Sequence, residues 1–224
     1  MPGQDVSFMV SGMTVNAYWA PAADANAPGV LVLHAWWGLN SFFKKLCDQL
    51  AEAGFSAYAP TMFQGKVATT IAEAEALVQH YEQGNMDQVQ AVAEAAFDEL
   101  RKRVPKGKLG VIGFSFGAAW SCVLSITRKD DVGKVALVYG LYDPGLDKAR
   151  ADFLGHFAEN DSYGEPEEVV KAAEEHIKAA GGKVTFHTYP GTGHWFMEDD
   201  RPEYNAEAAR LAWDRTVAFF KELA

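Results

Sequence analysis

The chain has 224 residues, 49% of them apolar and 22% charged, a mixture that excludes a disordered or fibrous protein and fits a single globular domain over 1–224. The formal net charge is −10, and the basic residues are scattered apart from Arg101-Lys102-Arg103. This balance argues against nucleic acid or an anionic membrane as a partner, and the basic run is better read as cations complementing a helix C-terminus.

Met1-Pro2-Gly3-Gln4-Asp5 has no basic region leading into an apolar core, and no apolar run approaches the length of a membrane span, so a cytoplasmic location is expected. Val6 to Trp19 alternates around Ser11-Gly12 as a hairpin would. Val30 to Leu33 is continuously apolar, the pattern of a strand covered on both faces. Phe42 or Phe43, Leu46, Leu50 and Ala53 then recur at helical spacing, with Asn40 or Ser41 as N-cap and Gly54 as terminator. A second strand, Phe55 to Ala59, ends at Pro60. Two helices follow, one through Ile71 and Tyr81 and one through Val89, Val92, Ala96 and Leu100, separated by Gly84-Asn85.

Leu109 to Ile112, Val135 to Val138 and Phe153 to Phe157 read as further strands, with a helix from Phe116 to Ile126 after the first. A helix from about Pro166 to Ala180 should carry Pro166 in its first turn and Gly181 just past its end. Val184 to Tyr189 is the last strand, and the closing helix shows Ala209, Trp213, Val217 and Phe220 on one face. Cys47 and Cys122 lie in helical patterns without paired spacing and read as small buried hydrophobes. Alternating strands and helices predict an α/β fold with a mostly parallel central sheet and helices on both faces. Chemistry is then expected in the loops just after the strands.

Gly113-Phe114-Ser115-Phe116-Gly117 follows a buried strand and opens a helix, the context of a G-x-S-x-G nucleophile turn. A serine hydroxyl needs a base, and the base an orienting carboxylate. His34, His156 and His187 fall in predicted strands and His80 and His176 on helices. Only His194, in Gly191-Thr192-Gly193-His194, is in a loop after a strand, which makes it the candidate base. The acid must come between Ser115 and His194. Asp161 and Asp143 both follow strands, and Asp161 is preferred because Asp143 precedes Pro144 and reads as a turn residue.

An oxyanion needs two preorganised donors. The Phe116 amide supplies one, and the other is expected from His34-Ala35-Trp36-Trp37-Gly38-Leu39-Asn40, with Trp36 the best candidate and Gly38 allowing a tight turn. Trp36, Trp37, Phe114, Phe116, Trp195 and Phe196 flank these loops and predict an aromatic substrate pocket, some of the rings serving as core.

These motifs, with Tyr139-Gly140, Gly193-His194-x-Phe196 and Asp200-Arg201-Pro202 before Tyr204-Asn205-Ala206, resemble the dienelactone hydrolase family of the α/β-hydrolase fold. The resemblance implies hydrolysis of a small ester or lactone, without metal or organic cofactor. The enzymes that name the family carry cysteine at the nucleophile, glutamate at the position of Ala35, and an arginine clamp for the substrate carboxylate at the position of Glu198. This chain reads instead as a serine variant working through an acyl-enzyme. The rival readings are a true dienelactone hydrolase with Arg201 or Lys66 as carboxylate anchor, and a non-catalytic ligand-binding protein on the same fold.

Overall fold

The computed structural model describes residues 2–223; Met1 and Ala224, the ends of the expected domain, lie outside the described residues. The chain divides after Gly107 into two compact units.

The first unit opens with the expected hairpin, β1 (Gln4–Val10) antiparallel to β2 (Met13–Ala20). Ser11 and Gly12 have φ of 48° and 84°, the left-handed pair whose twist suits a two-residue turn. β2 is also antiparallel to β4 (Ser56–Pro60), which is parallel to β3 (Gly29–Leu33). β3 is buried along its whole length because α1 (Ser41–Glu52) and α3 (Met86–Arg103) both pack on it. Asn40 is the N-cap of α1, its side chain accepting the Phe43 N–H at 3.3 Å. α2 (Ile71–Glu82) starts from a capping box between Thr70 and Glu73, a signal outside the apolar periodicity. At the end of α3, Arg101 donates to the carbonyls of Val104 and Gly107, and Lys102 and Arg103 pair with Glu99, so the basic run stabilises a helix terminus.

After β3 the chain turns at Gly38, where φ is +86° and a Cβ would stand 2.3 Å from the Lys66 carbonyl oxygen, so no other residue fits. The Trp37 carbonyl accepts the Ala68 N–H at 2.9 Å, tying this loop to the following segment. Ala35 and Trp37 are buried, Trp36 is partly exposed, and the two indoles meet edge to face at 5.5 Å. His34 is buried and neutral: Nδ1 donates to the Ala35 carbonyl, Nε2 accepts the Met62 N–H, and burial pushes its pKa down to about 4. Lys66 is exposed.

In the second unit β5 (Leu109–Phe114), β6 (Val132–Val138), β7 (Asp152–Asn160) and β8 (Val184–Gly193) are parallel neighbours in chain order. α4 (Phe116–Thr127) and α6 (Ala206–Lys221) cover opposite faces of β5. A Cβ at Gly113 would meet Gly117 and Ser121 of α4, whereas one at Gly110 would meet Phe220 of α6, and positions an odd number apart on a strand face opposite ways. α5 (Glu167–Ala179) packs against β8.

Local differences from the expected elements have physical causes. β6 starts at Val132, and β7 and β8 run on to Asn160 and Gly193 because pairing resumes after a register shift, Asn160 facing Gly193. The expected loop before His194 is therefore the bulged end of a strand. Pro166 is the N-cap of α5 rather than a first-turn residue. The inward stripe of α6 runs through Ala209, Ala212, Thr216 and Phe220, rotated from Trp213 and Val217, because Thr216 turns in to meet a buried histidine. Both cysteines are buried, and burial raises both thiols.

Candidate active site

β5 ends at Phe114 and α4 begins at Phe116, leaving Ser115 to make the whole turn with φ 49° and ψ −111°. A serine in left-handed backbone is strained by about 1–3 kcal/mol and persists only where its surroundings impose it. The surroundings are visible on both sides. A Cβ at Gly113 would come within 2.2 Å of the Gly117 oxygen, and one at Gly140 within 2.6 Å of the Ser115 oxygen, so glycine is needed at both. The Ser115 N–H donates to the Val138 carbonyl at 2.8 Å, extending the β5–β6 ladder into the turn. The Ser115 hydroxyl makes no capping bond to α4 and points to His194 instead.

His194 follows β8 directly, and its side chain is almost fully buried. Nδ1 lies 2.7 and 2.8 Å from the two oxygens of Asp161, and Nε2 lies 2.9 Å from Ser115 Oγ. An ionised carboxylate only accepts, so the proton belongs on Nδ1, and Nε2 presents its lone pair to the serine hydroxyl. Asp161 follows β7 directly and is itself held: the Tyr163 N–H donates to Oδ1 at 2.9 Å.

Asp143, the other candidate acid, faces elsewhere. Its Oδ1 accepts the Gly145 and Leu146 N–H groups, and its Oδ2 meets His176 Nδ1 at 2.6 Å, so it works as a turn residue bonded to α5. His156 is buried between Tyr189 and Thr216, with burial pushing its pKa down to about 3, and is a neutral structural imidazole.

Rings surround the His194 imidazole. Trp195, with φ +65°, lies at 5.1 Å, Tyr163 at 5.4 Å and Tyr139 at 4.8 Å. Trp195 is buried and Tyr163 largely exposed, their rings 5.2 Å apart. Phe114 and Phe196 are fully buried and pack on Tyr139 at 5.8 and 5.7 Å, so both belong to the core beneath the imidazole. Phe116, first residue of α4, is partly exposed. Arg201 Nε and Nη2 each lie 3.3 Å from an oxygen of Asp200, so its guanidinium is already engaged by a carboxylate.

Tyr139 and Glu198, which the sequence marks only through the family resemblance, and Tyr163, which it does not mark, stand beside or beneath the imidazole as site residues without an expected role. Tyr163 could have been found as the second neighbour of Asp161. Glu198 could not, because nothing local marks a glutamate for burial. Its side chain is fully buried, Oε1 accepts the Tyr139 hydroxyl at 2.6 Å, and burial pushes the carboxyl up to about 8. Among the described residues no group of three or more His, Cys, Asp or Glu side chains is arranged to hold a metal ion, and no helix is long and apolar enough to cross a membrane.

Strand, strained serine and helix in immediate succession are the local architecture of an α/β hydrolase, and the likeness extends over the whole chain. A solved structure described as a dienelactone hydrolase-like promiscuous phosphotriesterase, P91, from metagenomic libraries superposes with a TM-score of 0.83 over 99% of this chain and 98% of that one, at 22% identity, a likeness of fold. The model of the dienelactone hydrolase family matches residues 15–224. The protein named usf of Aquifex pyrophilus is 35% identical over 98% of both chains. A protein of Aquifex aeolicus, whose name proposes a carboxymethylenebutenolidase, is 32% identical over 98% of both. The chain belongs to the dienelactone hydrolase family and is by class a carboxylic ester hydrolase.

Proposed function

We propose that the chain is a serine hydrolase of small carboxylic esters or lactones, working through an acyl-enzyme on Ser115 as one α/β-hydrolase domain. The observation that carries this reading is the unbroken hydrogen-bonded series from Asp161 through His194 to Ser115 Oγ, with every distance below 3.0 Å. In the first half-reaction Oγ attacks the ester carbonyl carbon while its proton passes to His194 Nε2. The imidazolium that results is stabilised by Asp161. The carbonyl oxygen becomes an oxyanion, for which the Phe116 N–H, in the donor-rich first turn of α4, is the proposed partner. Collapse expels the alcohol, which takes the proton from Nε2. Water then attacks the acyl-enzyme with His194 as base, and the acid departs from a regenerated serine.

A fluorophosphonate probe tests the assignment. One equivalent is expected to attach to Ser115 of the folded chain and none to Ser115→Ala. An inert folded parent would point instead to a non-catalytic ligand-binding protein.

Substrate charge is the second expected outcome. Neutral short-chain esters such as p-nitrophenyl acetate should exceed a carboxylate-bearing lactone such as dienelactone in kcat/KM by roughly 10- to 100-fold, since a lost charge-assisted hydrogen bond is worth about 1.5–3 kcal/mol. Supporting this, a buried Glu198 with its carboxyl raised to about 8 offers no cation, and Arg201 is engaged by Asp200. The penalty at neutral pH comes from a missing attraction, because the acid is mainly uncharged there. Dienelactone proving the better substrate, with Arg201→Ala selectively raising its KM, would make Arg201 a working anchor.

A further inference from the structure

We propose that Tyr139 and Glu198 form a buried positioning pair that holds the His194 imidazole in line with Ser115. The inference rests on the serine-hydrolase reading above and adds two residues that act through His194.

Tyr139 stands directly after β6, where its backbone is held in an unfavourable conformation, φ +36°. Its N–H donates to the His156 carbonyl at 2.7 Å, and Gly140 behind it packs against the Ser115 backbone, so the turn cannot relax without disturbing the serine. The strained backbone delivers the phenol ring to the imidazole, with centroids 4.8 Å apart, while Phe114 and Phe196 close in on the tyrosine. Three rings therefore limit rotation of the imidazole, and Tyr139 among them is fully buried with its hydroxyl held by a hydrogen bond. The single Nδ1–H, shared between the two oxygens of Asp161, holds that side of the ring but leaves it able to swing about that side unless a wall stops it.

Glu198 is the fixing point. It accepts the phenol hydroxyl at 2.6 Å, is fully buried, and its Oε2 has no hydrogen-bond partner. A glutamine would provide the same acceptor without a titratable group, and a leucine opposite a phenylalanine would fill the space with no polar atom to desolvate. A native buried polar atom left unsatisfied calls for a reason. Holding the tyrosine is the reason the contacts offer.

The charges around the pair define its pH behaviour. Asp200, Arg201 and Glu203 surround Glu198 on its own segment, Tyr139 faces it from the end of β6, Asp161 acts on Tyr139 from the end of β7, and His194 lies beyond from β8. Burial raises Glu198 to about 8, helped by Asp200 and Glu203 and opposed by the Tyr139 hydrogen bond and Arg201; burial, with Glu198 beside it, also raises Tyr139. Below about pH 8 the acid is neutral and stays in place. Above it the bond from the Tyr139 hydroxyl strengthens, but the charge stands fully buried near Asp200 and Glu203, and its desolvation favours loosening of the segment that fixes the wall behind His194. For a carboxyl raised on folding, the stability it contributes falls as pH climbs from 4.5 towards 8 and levels off above it, whereas kcat should decline only as the folded-state carboxyl ionises around pH 8.

The experiment measures kcat and KM for p-nitrophenyl acetate across the pH range with Tyr139→Phe, Glu198→Leu and Glu198→Gln, alongside fluorophosphonate labelling. Tyr139→Phe and Glu198→Leu are expected to lower kcat about 10- to 100-fold with KM within about twofold, as for a catalytic group displaced rather than removed. Glu198→Gln, which keeps an acceptor for the phenol, should recover most of kcat at pH 7 and lack the alkaline decline near pH 8. Tyr139→Phe removes a single oxygen and carries the test whether or not the leucine variant folds. Leucine matching glutamine, Tyr139→Phe matching the parent, or an alkaline limb unchanged in Glu198→Gln would overturn the pair. A labelled parent with indifferent variants defeats the pair alone, whereas an unlabelled parent defeats the serine reading itself.

Discussion

Ser115→Ala is expected to lower ester turnover by about 10⁴-fold or more while leaving the unfolding temperature close to that of the parent. The size of the effect follows from the role: without Oγ no acyl-enzyme forms, and only the slow direct attack of water remains. The mildness of the structural effect follows from the geometry. The unusual backbone at this position is imposed by its neighbours, and alanine at φ 49° is no worse off than serine. The hydroxyl caps no helix, so its removal costs one hydrogen bond to His194. Turnover of p-nitrophenyl acetate and a thermal melt, measured on the same sample, check both halves. A folded variant retaining a tenth of the parent rate would remove Ser115 from the mechanism.

Asp161→Asn should cost about 10⁴-fold in kcat, and Asp143→Asn no more than a few-fold. The asparagine would fit where the carboxylate sits, but its amide nitrogen would face Nδ1 as a donor. The favoured tautomer then reverses, with the proton on Nε2, and an imidazole protonated there cannot accept the serine proton. The Tyr163 N–H, which donates to Oδ1, keeps the amide oxygen at that position and the nitrogen at the Oδ2 position 2.8 Å from Nδ1, where its hydrogens oppose a proton on Nδ1. Asp143 contacts His176 and two turn amides, so its variant should register in stability rather than in rate. Paired kcat and melting measurements on the two variants separate the roles, and the reverse ranking would transfer the acid to Asp143.

What the sequence disclosed and what it withheld divide along the range of the interactions involved. The serine turn was legible because three local signals coincide within ten residues: a continuous apolar strand, small residues on either side of the serine, and an apolar helix at once. The Ser11-Gly12 hairpin and the Gly54 helix stop were legible for the same reason. The sequence favours Asp161 over Asp143 only through Pro144, whereas what brings Asp161 beside the imidazole is the pairing of β7 to β8 out to Asn160 and Gly193. That pairing depends on a register shift that no local pattern encodes. Phe114 and Phe196 flank Ser115 and His194 and so read as pocket residues, but Phe114 is buried at the end of β5 and Phe196 is buried from the turn after β8. The sequence marks Glu198 only as the lack of a family arginine, and its burial against Tyr139 depends on a partner 59 positions away.

The left-handed backbone at Ser115, Tyr139 and Trp195 also bears on how readily this protein could be evolved for other esters. Glycine would relieve the conformation at each position, but it would also delete the proposed nucleophile or one of two buried rings packed on the His194 imidazole. Selection for thermal robustness and selection for turnover therefore conflict at these three codons. An engineer needing tolerance for new mutations would have to find it elsewhere, for instance at Ser11, whose left-handed turn has no task beyond joining two strands.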